Sequence, residues 1–204
     1  FTTLLVNLFV DPSSGATDSV AQHSGARELD AVRRTVHTSV ALALAAGVGV
    51  MAVGILLSQP ILVAMGTPED VMGYALTYLR VYFLGSVASF LYNVGSSVLR
   101  AVGDTRRPLY FLVAACMTNI VLDLLFVVVF HWDVMGAALA TVISQVVSAV
   151  LVVITLRHPG SIFCLEWREI RFHGDILRDL LKIGLPTGLQ SDMYSLSNLF
   201  IQSC

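Results

Sequence analysis

The chain has 204 residues, 56% of them hydrophobic and 13% charged, against about 25% charged in an average soluble domain. With a mean hydropathy of +0.79, this excludes an ordinary soluble domain and points to an all-α, polytopic transmembrane helix bundle, whose first partner is the lipid bilayer. The net charge of −2 says little by itself; no feature suggests a nucleic-acid partner, and Cys116, Cys164 and Cys204 are too few and scattered for a disulfide framework or a zinc site.

Residues 1–23 begin apolar and are then interrupted by Asp11, Pro12 and Asp18. Proline inside a helix removes a hydrogen bond and tends to kink it, so this reads as a broken span. Residues 24–37 read as a polar connection carrying Arg27, Arg33 and Arg34. No charge occurs from Thr38 to Gly66, which makes a span, and Gly47, Gly49 and Gly54 would permit close helix approach. Thr67-Pro-Glu-Asp70 predicts a short loop and a helix start, with Thr67 as N-cap and Glu69 and Asp70 in the first turn.

Residues 71–99 form the next span. Tyr74, Tyr78 and Tyr82 recur at helical spacing where an interfacial aromatic belt belongs, and Arg80 either snorkels outward or pairs with an acid. Asn93 lies deeper, where a lone amide serves as interhelical glue or as a ligand. Arg100 to Pro108 is a tight basic turn.

The apolar segment from Pro108 to Phe130 follows, long enough at roughly 20 residues to cross a bilayer. Asp123 is its only charge. A carboxylate at membrane depth costs about 2.5–3.5 kcal/mol on insertion scales and usually faces the bundle interior or a wet cavity. Asn119 lies one turn earlier on the same helix face; its amide offers a neutral oxygen to a cation and an N–H to the carboxylate. The pair is the minimum equipment of a proton or sodium site, and a packing hydrogen bond between the two side chains is the alternative.

His131-Trp132-Asp133 is a short loop with an interfacial Trp, and residues 135–156 form another span. Gly136, Ala140, Ser144 and Ser148 make a small-residue stripe for close packing. Ala137, Thr141, Gln145 and Ala149 make a more polar neighbouring stripe, so Thr141 and Gln145 can face the same partner helix. Residues 157–178 alternate charges with Trp167, Ile170, Ile176 and Leu177 and read as an interfacial amphipathic linker. Residues 179–204 open a further span, bent at Pro186 and holding Asp192. The organisation is thus a bundle over 1–156, a linker over 157–178 and the start of a second lobe over 179–204: about five spans plus the start of a sixth. Phe1 in place of Met, and an apolar run up to Cys204, read as a piece of a longer protein.

The loops at 24–37, 100–107 and 157–182 hold every Arg and Lys except Arg80, whereas those at 67–70 and 131–134 hold none. Strict alternation makes the basic loops cytoplasmic. His23, His37, His131, His158 and His173 fall near membrane edges or loops and read as solvated rather than as ligands. No metal-ligand cluster, nucleophile constellation or glycine-rich phosphate loop points to an enzyme.

Val32-Arg-Arg-Thr-Val-His-Thr-Ser39, Gly66-Thr-Pro-Glu-Asp70, Tyr78-Leu-Arg80, Leu99-Arg-Ala-Val-Gly-Asp-Thr-Arg-Arg-Pro108, Asn119-Ile-Val-Leu-Asp123, Gly136-Ala-Ala-Leu-Ala-Thr-Val-Ile-Ser-Gln145 and Ile183-Gly-Leu-Pro-Thr-Gly-Leu-Gln190 occur in that order. In this ordered set the chain resembles a multidrug and toxic compound extrusion (MATE) transporter. The resemblance implies half of a twelve-span, inverted-V transporter in the cell membrane, a bacterial inner membrane being the expected one. This chain would hold spans two to six and the start of span seven, without span one or most of the second lobe. The implied activity is export of small amphipathic or cationic compounds in exchange for protons or sodium, without a cofactor, and a fragment of this kind would be inactive alone. The resemblance places Asn93, Asn119, Asp123 and Thr141 at the cation site, with no metal beyond a possible sodium at Asp123. The substrate-binding residues stay unassigned. Asp11, Pro12, Asp18 and Asp192 depart from the family's usual character. Two other readings stand beside the exporter. One is a lipid-linked-precursor flippase of the same superfamily, which should have a strongly basic cavity. The other is a non-transporting, truncated membrane protein.

Overall fold

In the computed structural model, residues 29–157 are described, and they are helical apart from short turns. The elements are α1 (Leu29–Ala64), α2 (Glu69–Leu84), α3 (Ser86–Ala101), α4 (Arg106–Asp123), a π-helical turn (Leu124–Val129) and α5 (Asp133–Arg157). Four stretches are long and apolar enough to cross a membrane: Val32–Ala64, Glu69–Ala101, Arg106–Val129 and Asp133–Arg157. They correspond to the spans expected at 38–66, 71–99, 108–130 and 135–156. The expected first span with Asp11, Pro12 and Asp18, the linker and the second-lobe segment with Asp192 lie outside the described residues.

The described residues fall into two compact units, one containing residues 29–43, 93–105 and 155–157 and the other residues 44–92 and 106–154. In the first unit, α1 already runs through residues 29–37, where a polar connection was expected. Val32, Val36 and Val40 recur one turn apart and are all buried, so they carry the apolar stripe of the span into the basic region. His37 is correspondingly buried, not solvated, and its Nδ1 lies 2.7 Å from the Arg33 carbonyl oxygen one turn earlier. The α3 end of this unit buries Val94, Val98 and Leu99. It closes at Gly103, whose φ of +92° suits a residue without Cβ. The Gly103 N–H donates to Arg100 and the Asp104 N–H to Leu99, the paired bonds of a Schellman motif.

In the second unit, α1 ends the same way at Gly66 (φ +70°), with Gly66 N–H donating to Val63 and Thr67 N–H to Leu62. Thr67 is therefore committed to closing α1 and does not cap α2. The cap residue of α2 is Pro68, without a side-chain bond, and Glu69 and Asp70 occupy the first turn. Of the three glycines expected at close approaches, two serve. A Cβ on Gly47 would lie 2.8 Å from Val87 Cα, and one on Gly54 would run into the Phe83 ring. Gly49 meets nothing.

The span expected over 71–99 is broken between α2 and α3 at Gly85. Gly–Ser pairs are common kink sites, and here Ser86 Oγ stands within bonding distance of both the Phe83 carbonyl (2.7 Å) and the Gly47 carbonyl (3.1 Å). Arg80 is exposed on α2, as snorkelling requires. Tyr78 and Tyr82 stack at 6.3 Å. Phe126 of the π-helical turn gathers its ring with those of Phe130 and Trp132 at 5.3–6.3 Å, and His131 in the loop and Asp133 at the start of α5 both have positive φ.

Candidate functional site

The second unit contains a cavity of about 250 Å³ walled by α3, α4 and α5. From α3 come Ser89 and Tyr92, and from α4 Leu112, Ala115, Cys116 and Asn119. From α5 come Thr141, Ser144, Gln145 and Ser148. The last four lie at i, i+3, i+4 and i+7, one helical face. Of the small-residue stripe, Ser144 and Ser148 line the cavity and are buried, and Ala140 is buried without lining it.

The polar chemistry of this wall is set by its own backbone. Thr141 Oγ1 donates to Ala137, Ser144 Oγ to Thr141 and Ser148 Oγ to Gln145, at 2.8–2.9 Å. Such back-bonding is the usual way a helix accommodates hydroxyls in an apolar setting. The Tyr92 hydroxyl donates to the Pro108 carbonyl at 3.1 Å. Each of these hydroxyls turns its proton away and leaves oxygen lone pairs.

Of the four residues assigned to the cation site by resemblance, the structure brings Asn119 and Thr141 together in this cavity. Asp123 follows one turn after Asn119, at the point where α4 passes into the π-helical turn. Asp123 is half-buried, and its Oδ1 is enclosed with no donor among the described residues. No hydrogen bond joins Asn119 to Asp123, so the packing bond considered above is not made. Asp123 does not line the cavity. Asn93, half-buried on α3, belongs to the other unit. No group of three His, Cys, Asp or Glu that could hold a metal occurs among the described residues.

Ser89 and Tyr92 are not singled out by the sequence, where their only signal is the i, i+3 spacing of two polar residues on one helix face. Gln145 was noted as a neighbour of Thr141 without a role. Its Oε1 is buried without a donor among the described residues.

Four helical stretches long and apolar enough to cross a bilayer, with a small cavity among three of them, define a polytopic membrane protein. The MatE family model matches residues 1–125, and the chain belongs to that family of multidrug efflux transporters. It is 32% identical over 193 residues to the probable multidrug resistance protein YpnP of Bacillus subtilis, covering 92% of this chain and 42% of YpnP. It is 26% identical to the multidrug export protein MepA of Staphylococcus saprophyticus, covering 97% of this chain and 43% of MepA. A solved structure of MATE in the bent conformation superposes with a TM-score of 0.90 at 27% identity, covering 99% of this chain and 45% of that one. The chain thus spans less than half the length of these relatives.

Proposed function

We propose that this chain forms part of the cation-binding lobe of an antiporter that exports drugs or other amphipathic organic compounds in exchange for protons or sodium. Asp123 is the coupling group in this reading, with Asn119, Thr141 and Asn93 as neutral partners. The carrying observation is the enclosed Asp123 Oδ1, without a donor among the described residues, as the one charge between Pro108 and Phe130 and one turn beyond an amide that lines a cavity. A buried acceptor with no partner is costly, and a bound proton or sodium relieves it. Cation binding then alters the contacts of α4, and it is coupled to drug release only if it favours one of two transporter states.

Alternating access moves two lobes against each other, so the test is efflux by a protein carrying this sequence together with a second lobe. Asp123→Asn should abolish efflux driven by an imposed proton or sodium gradient while protein remains in the membrane. Undiminished gradient-driven efflux would reduce Asp123 to a structural residue. The flippase reading is less favoured, because among the described residues the cavity wall has no Arg or Lys for a phosphate and Arg80 is exposed.

A further inference from the structure

The helix α4 opens on a pair of arginines. Arg106 and Arg107 are both exposed, and Arg106 forms no ion pair or hydrogen bond among the described residues. The first turn of α4 holds no acid. The nearest acid along the chain is Asp104, a single carboxylate against two guanidinium groups. The positive end of the helix dipole lies at the same place, so the helix itself disfavours a cation there. Arg106 is left for an anion that the described residues do not supply.

Below Arg106 the helix is apolar and open. Leu109, Tyr110, Val113 and Met117 stand at i+3, i+4, i+7 and i+11 from it, on one face, and are 48–65% exposed. The packed face is a different one: Pro108 and Ala115 are buried, and the Tyr92 hydroxyl donates to the Pro108 carbonyl at 3.1 Å. The first turn of α4 is thus anchored from behind. From Arg106 to Met117 the helix rises about 16 Å, close to half of a hydrocarbon core roughly 30 Å thick. A cation at headgroup height above an apolar stripe one leaflet deep has the dimensions of a single phospholipid.

We propose that this stripe is an anionic-phospholipid site, in which Arg106, with Arg107 beside it, holds the headgroup phosphate and Leu109, Tyr110, Val113 and Met117 carry an acyl chain. A guanidinium receives a phosphate through charge-assisted hydrogen bonds. A choline lipid brings the same phosphate together with an ammonium that the arginines repel, so the site prefers a lipid of net negative charge. The assignment requires only that α4 spans the membrane. It is independent of the coupling ion, of the exported compound and of which leaflet holds Arg106.

The test uses the chain joined to a second lobe, in vesicles of equal parts phosphatidylglycerol and phosphatidylcholine. Photoreactive benzoylphenylalanine replaces Tyr110, and the lipid captured on irradiation is read by mass spectrometry. The same probe at Val129, exposed at the other end of the span, gives the reference. The ratio of anionic to zwitterionic adducts at position 110 should exceed that at 129 by about fivefold, the scale of one arginine near an anionic surface. Arg106→Gln combined with Arg107→Gln should bring the two ratios together; Arg106→Gln alone serves if the double variant does not reach the membrane. Arg34→Gln removes an exposed charge from α1 and should leave the preference unchanged, as should excess inorganic phosphate at constant ionic strength. Equal ratios at 110 and 129 in the otherwise unsubstituted protein, or a ratio untouched by Arg106→Gln, would overturn the proposal. So would an equal fall with Arg34→Gln, loss of the preference to free phosphate, or capture of the second lobe in place of lipid.

Discussion

The hydroxyl of Ser86 stands 3.1 Å from the carbonyl oxygen of Gly47, and the missing side chain of Gly47 lets the Val87 backbone close to that distance. A Cβ there would sit 2.8 Å from Val87 Cα, and backbone atoms cannot step aside as a flexible side chain can. Gly47→Leu should therefore destabilise the second unit by about 1–3 kcal/mol, the range of overpacking substitutions. Ser86→Ala should lose about 0.6 kcal/mol, the average for an interhelical hydrogen bond in a membrane. Thermal unfolding in detergent separates the two effects. Equal melting of Gly47→Leu and wild type would show that this approach is not needed for folding.

Confinement of basic residues to alternate loops predicts the orientation. In a background lacking Cys116, Cys164 and Cys204, a cysteine at Thr67 should react with an impermeant maleimide from outside the cell, and one at Arg106 should not. Both sites stand in or beside turns between spans, and Arg106 is exposed. Reversed labelling would invert the topology.

Ala140 is fully buried on α5. Ala140→Leu adds a branched side chain where there is no room, and folded yield should fall. Val146→Leu is the control, since Val146 is 45% exposed on the same helix and should tolerate the change. If both variants were recovered in equal yield and equally monodisperse on size exclusion, the α5 contact would not be tight.

Asn119→Ala and Thr141→Ala should each weaken gradient-driven efflux less than Asp123→Asn, because each removes a neutral partner rather than the group that takes the cation. The Thr141 hydroxyl already donates to Ala137, so it offers a cation only oxygen lone pairs. Thr141→Ser keeps those lone pairs and should restore most of the efflux lost in Thr141→Ala. A failure of serine to rescue would assign the effect to packing of the threonine methyl.

Gly66 and Gly103 hold positive φ at helix ends. Alanine at either position should cost about 1 kcal/mol, since a Cβ is strained there, with no change in ligand binding. Both substitutions are read in the same melting assay, and a neutral Gly66→Ala would mean that the α1–α2 turn can adopt another form.

The sequence by itself determined the four described spans and the carboxylate that stands alone in the third. A membrane helix satisfies its backbone within itself, so about twenty apolar residues and the loops that interrupt them are a local signal. The same locality made Asn119 and Asp123 legible as neighbours one turn apart, and the motif-bearing residues legible as a family likeness. Which way each helix faces was decided only by the tertiary structure. Lipid-facing and helix-facing positions are both apolar, so periodicity does not separate Gly47 and Gly54, which make close approaches, from Gly49, which makes none. Nor could spacing show that the polar start of α1 is helical with His37 buried, or that a span breaks at Gly85. The character of the cavity was decided there too. The direction of the Thr141, Ser144, Ser148 and Tyr92 protons depends on rotamers. The Gln145 amide lies where Gly85, at the α2–α3 break, has no side chain, a relation between distant residues that no pattern along one helix records.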